Sequence, residues 1–128
     1  MTIAYWCVLI VFLLPYACIS VAKFSGGDYG AQANRAPREF LARLQGWRQR
    51  AHHAQLNGFE IAPLFAAAVI IAHLCGGASQ ALIDALAAAF VISRVLYCLC
   101  YIADWATLRS LVWFVGLGLI LALFVTSA

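Results

Sequence analysis

The chain has 128 residues, 66% of them hydrophobic and only 10% charged, with a mean hydropathy of +0.93. An ordinary soluble domain carries roughly a quarter charged residues, and a soluble fold this small has too much surface to hide so much apolar side chain. The composition excludes a soluble enzyme and leaves a one-domain integral membrane protein, whose net charge of +3 is unevenly spread.

Met1 to Ala22 carries no charged side chain. No basic residue precedes the apolar run, and Pro15-Tyr16-Ala17 before Cys18 is a poor lipoprotein cleavage sequence, so the segment reads as a retained span. This first span covers about 3–22, enough to cross a hydrocarbon core of ~30 Å, and Pro15 is expected to kink it. Phe24 to Pro37, with Gly26, Gly27, Gly30 and Asn34, reads as a surface loop. Arg38 then opens a long helical pattern that includes a second span at about 52–75. Its apolar stretch, Ile61 to Cys75, is short for a crossing, so Asn57 and Glu60 are carried into or just inside the membrane boundary.

Gly76-Gly77-Ala78-Ser79 allows only a tight turn between antiparallel neighbours. A third span follows at about 80–103 and, after a connection from Asp104 to Arg109, a fourth at about 108–125. The architecture expected is an all-α bundle of four transmembrane helices. Six of the eight basic residues (Lys23, Arg35, Arg38, Arg43, Arg48, Arg50) lie between positions 23 and 50, opposed there only by Asp28 and Glu39. Flanked by spans, this stretch signals a cytoplasmic segment rather than nucleic-acid binding, with both termini outside. Arg43, Arg48 and Glu39 read as a solvated face near lipid headgroups. The five cysteines all sit in apolar runs without metal-ligand spacing and read as small hydrophobes packed among helices; no metal is expected.

Arg50, His53, Asn57 and Glu60 fall within roughly 80° of one helix face at 100° per residue. The third span repeats the offsets with Arg94, Tyr97, Tyr101 and Asp104. Polar stripes at membrane depth turn toward protein or a water-filled cavity. Glu60 and Arg94 each lie about 15 residues, or roughly 22 Å, from the shared turn, so the two are expected to interact directly or through a ligand, or simply to fix helix register as an ion pair. Tyr97 and Tyr101 fit either interfacial aromatics or a polar pocket.

The run Arg50-Ala51-His52-His53-Ala54-Gln55-Leu56-Asn57-Gly58-Phe59-Glu60-Ile61-Ala62-Pro63-Leu64-Phe65 resembles the second-helix signature of the MAPEG family (membrane-associated proteins in eicosanoid and glutathione metabolism). Asn34-Arg35-Ala36-Pro37-Arg38 is similar to bacterial members, and Arg94, Tyr97, Tyr101, Arg109 and Ser110 continue the match in order. The resemblance implies a homotrimer in a bacterial inner membrane, with glutathione as co-substrate bound between subunits near the cytoplasmic side. It implies that Arg50, His53, Asn57, Glu60, Arg94, Tyr97 and Tyr101 bind glutathione, and that Arg109 and Ser110 stabilise its thiolate. Lys23 is loosely placed as the basic residue that ends the first helix. The activity implied is a transferase or peroxidase acting on hydrophobic electrophiles or lipid hydroperoxides; a non-catalytic lipid-binding or accessory role is the alternative. His53 stands where several relatives have Arg, Trp113 where one has Tyr, and Asp104 would oppose a nearby anion. A transporter-like path is disfavoured because Asp84 is the only charged residue toward the outer half.

Overall fold

The computed structural model describes residues 1–128, all helix and connection. Four long apolar helices carry the fold: α1 (Ile3–Phe24), α4 (Gly46–Cys75), α5 (Gln80–Ile102) and α6 (Ala106–Ser127), with short helices α2 (Ala31–Arg35) and α3 (Pro37–Ala42) between the first two. Each long helix has the length and hydropathy of a membrane span, and the protein is an integral multi-pass membrane protein.

Local chemistry sets the helix ends. Thr2 accepts from Tyr5 N–H at 3.4 Å to cap α1, and Ser79 accepts from Leu82 N–H at 3.3 Å to cap α5. Gly76, at φ +69°, takes the left-handed conformation that ends α4. At the end of α5 the same position falls to Asp104, at φ +64°. There Trp105 N–H donates to Cys100 C=O and Asp104 N–H to Tyr101 C=O, the paired bonds that close a helix before a reversal.

The chain runs up, down, up, down. Ala4 N–H, otherwise an orphan donor at the start of α1, donates to Asp84 Oδ1 on α5 at 2.8 Å, and Gln80 donates to the same oxygen at 2.9 Å. The start of α1, the turn after α4 and the end of α6 therefore share one end of the bundle. In cross-section α1 packs mainly on α4 and α5 mainly on α6, with α4 and α5 also in contact.

The main core draws on all four helices and centres on Phe65 and Phe90, stacked at 4.1 Å. Small residues on the packed face of α4 (Ala51, Ala54, Gly58, Ala62) allow close helix approach, as interfaces within a bilayer require. At the tightest point, Gly58 faces Pro15, inside an α1 that continues through to Phe24. A Cβ on Gly58 would meet Pro15 Cγ at 2.6 Å. Gly58→Ala should therefore destabilise the bundle by about 1–3 kcal/mol, the usual cost of overpacking, read as an earlier unfolding midpoint in detergent; an unchanged midpoint would show that the helices can move apart freely.

Three expectations about the basic segment are corrected. The span from Phe24 to Pro37 is not wholly loop, because α2 forms within it. The helix opened near Arg38 does not run through to Cys75: it breaks at 43–45, and α4 restarts at Gly46, φ +61°. The physical reason is burial, since the break lets Leu41 and Leu44 reach a second core with Ile19, Ala22 and Ala51. Finally, Arg48 is not part of a solvated face. Its Nε donates to Ala22 C=O at 2.7 Å, capping the open end of α1, while Nη1 and Nη2 bind Asp28 bidentately at 3.0 and 2.7 Å. Glu39 and Arg43 do remain exposed, 3.8 Å apart.

This clamp makes the segment pH-sensitive. The hydrogen-bonded Arg48 guanidinium holds the Asp28 carboxyl below its ordinary range. A lowered folded-state pKa means that the clamp's contribution is present above the unfolded carboxylate value of about 3.9 and is lost as pH falls through the still lower folded value. Protease cleavage between residues 25 and 35 should thus accelerate only in that acidic window, and Asp28→Asn should be cleaved readily at neutral pH. Equal cleavage of both proteins at neutral pH would remove the clamp from the account.

Candidate functional site

The two polar stripes meet. Arg94 is 2% exposed, held where α1, α4 and α5 converge, and its Nη2 donates to Asn57 Oδ1 at 2.8 Å. Asn57 Nδ2 in turn donates to Glu60 Oε2 at 3.3 Å. The expected direct pair of Glu60 with Arg94 is corrected: the amide of Asn57 stands between them, and no carboxylate lies within ion-pair distance of Arg94. Residue rotation explains it, since Glu60 is turned roughly 60° further from the packed face of α4 than Asn57. The carboxylate is left exposed on the bundle's surface, as is His53.

From Arg94 the site continues through aromatic faces. The guanidinium lies 4.1 Å from the centre of the buried Tyr97 ring, Tyr97 meets Tyr101 edge-on at 5.6 Å, and Arg109 lies 4.4 Å from the Tyr101 ring. His53 approaches Tyr101 from α4 at 6.2 Å. Arg50 sits one turn nearer the helix end, with its Nε donating to Ile102 C=O at 3.1 Å. Tyr97, Tyr101, Arg109 and Ser110 line a cavity of about 320 Å³ together with Trp113 and Phe114.

Two features of this cavity bear on chemistry. The Arg109 guanidinium makes no hydrogen bond or ion pair within the chain, so its donors are free for a ligand, whereas the Ser110 hydroxyl donates back to Ala106 C=O at 3.1 Å. Ser110 must exchange that bond before it can donate into the cavity. The apolar wall of Phe114 is a feature that sequence reasoning missed. Its signal was the four-residue spacing that stacks Trp113 over Arg109 and Phe114 over Ser110 on α6. Lys23 lies in the last turn of α1 and rests 5.0 Å from the Tyr29 ring. Four cysteines are buried, but Cys75 is exposed beside the turn. No group of three His, Cys, Asp or Glu side chains gathers anywhere in the chain.

The sequence profile of the MAPEG family matches residues 3–128, essentially end to end. The chain belongs to the MAPEG family. Neither the curated proteins nor the solved structures give a significant match. In this MAPEG chain the four apolar helices and the residues of the α4–α5–α6 site all lie within the matched span.

Proposed function

We propose that the protein is a membrane-bound, glutathione-dependent transferase or peroxidase that activates the thiol as a thiolate and delivers it to hydrophobic electrophiles or lipid hydroperoxides. The observation that carries this reading is Arg109: an unpaired guanidinium in the lining of a cavity that continues one turn along α6 to the apolar pair Trp113 and Phe114. A cation there favours S⁻ over SH, and the thiolate is the nucleophile. The apolar side receives a substrate that arrives from lipid.

Glutathione carries two carboxylates and one ammonium, and the stripe is complementary. Glu60 and Asn57 suit the ammonium and a backbone amide, Arg50 and His53 lie near the carboxylates, Arg94 orients Asn57, and Tyr97 and Tyr101 flank the peptide. In transfer, sulfur forms a bond to the electrophilic carbon and the leaving group departs with its electron pair. In hydroperoxide reduction, two thiols are oxidised to a disulfide while the hydroperoxide yields an alcohol and water.

A homotrimer is part of the proposal. Glu60 is exposed roughly 22 Å from the far turn, and a charge facing lipid at such depth is costly. A neighbouring copy placed over this face removes that cost and completes the peptide site. The basic residues of the segment 23–50 support a cytoplasmic position for it, and the resemblance to bacterial members supports a bacterial inner membrane.

A second reading, a non-catalytic lipid-binding or accessory protein, is favoured by one observation: the Ser110 hydroxyl is turned to its own helix. A difference ultraviolet titration of the purified protein separates the two. Saturable thiolate absorbance, with Glu60→Ala requiring severalfold more glutathione for half-saturation, supports the enzyme; no thiolate at millimolar glutathione supports the second reading.

A further inference from the structure

On the far side of α4 from the glutathione stripe, a groove of about 470 Å³ runs between α3 and α4. We infer that this groove is a binding site for an anionic phospholipid, with the phosphate at Arg38, His52 and Gln55 and one acyl chain along Leu41, Leu56 and Phe59.

Charge supports the head of the site. Arg38 has no carboxylate partner, because Glu39 turns to Arg43 and Asp28 is taken by Arg48. A free guanidinium binds a phosphate oxygen pair through two parallel donors. Gln55 Oε1 is engaged with His52 Nδ1 at 3.0 Å, which leaves the Gln55 amide nitrogen as a second donor at the rim. No acidic side chain lines the groove.

Depth supports the tail. From His52 to Phe59 is seven residues, roughly 10 Å along the helix, so the lining changes from polar to apolar in the direction in which a lipid changes from headgroup to hydrocarbon. The apolar walls are fixed: Leu41 is anchored in the second core, and Phe59 meets Tyr16 edge-on at 5.2 Å. Leu56 between them is 47% exposed. The groove lies roughly 130° around α4 from the stripe, so lipid in it would not occlude the thiol site.

Native mass spectrometry of the full-length protein in detergent, with phosphatidylglycerol or phosphatidylcholine added at equal concentration, tests the inference. Both lipids offer the phosphodiester, but only phosphatidylcholine brings a trimethylammonium that is repelled by Arg38, so phosphatidylglycerol should be retained on the order of tenfold more strongly. Arg38→Gln should abolish the preference, Leu56→Trp should fill the groove and reduce retention of both lipids, and Arg43→Gln, outside the groove, should change neither. Equal retention of the two lipids by wild type, an undiminished preference in Arg38→Gln, or an equal loss in Arg43→Gln would each overturn it, as would full displacement by inorganic phosphate. Because the readout is lipid mass and not thiolate, the result stands apart from the outcome of the glutathione titration.

Discussion

Arg109→Ala should strip the protein of its bound thiolate at neutral pH while leaving the bundle folded. A free thiol ionises near 8.5, and a cation within about 4–6 Å lowers an acid's pKa by about 1–3 units. With Arg109 present the bound thiol should titrate below its free value, so that thiolate is abundant at pH 7. Without it, only a few per cent remains, about a 10- to 1000-fold change in the thiolate-to-thiol ratio. Absorbance followed across pH at saturating glutathione reads the midpoint directly. Arg109→Lys, which keeps the charge and loses the planar fork, should fall between the two. Arg109 is only partly buried, and its guanidinium meets the Tyr101 ring without a hydrogen bond or ion pair, so stability should change little. A midpoint shared by wild type and Arg109→Ala would assign thiol activation to other groups and leave Arg109 as an interfacial charge.

Asn57→Leu should be the most damaging single change to the fold's polar interior. It removes the only side-chain hydrogen-bond partner of a guanidinium that is 2% exposed. Hydrogen bonds to charged groups contribute about 1.5–3 kcal/mol, and a buried donor left without an acceptor adds its desolvation cost. A loss of about 3 kcal/mol is expected, seen as a lower unfolding midpoint. The sharper test is the double variant Asn57→Leu with Arg94→Met, which replaces both partners by apolar groups of similar shape. Replacing a buried polar pair in this way is often close to neutral, so the double variant should recover most of the stability while losing glutathione binding. If the two losses simply add, the 2.8 Å contact carries no coupling and the two residues act independently.

The parts of this molecule that follow from chain-local physics were legible in the sequence. A run of about 20 apolar residues must be helical in a bilayer, because no water is present to satisfy a free backbone; hence four long helices and an all-α fold. Helical period alone placed Asn57 and Glu60 on one face and Arg94, Tyr97 and Tyr101 on another. The ordered spacing of these residues through Arg109 and Ser110 carried the family resemblance that the match over residues 3–128 bears out.

What the period could not decide was the final rotation and reach of each side chain. Arg94 meets Asn57 rather than Glu60 because the close approach of α1 and α4 at Pro15 and Gly58 helps set which edge of α4 faces α5. Asp84, read only as a lone outer charge, anchors the start of α1 because the chain returns to that end 80 residues later. Arg48 looked like one more solvated cation until the fold brought the open carbonyls of α1 and the carboxylate of Asp28 within its reach. Sequence by itself determined how many membrane-length helices form and which faces are polar, since both depend on residues a few positions apart. Tertiary structure alone decided which polar groups meet and where a cavity is left beside Arg109, since those depend on the packing of side chains far apart in the chain.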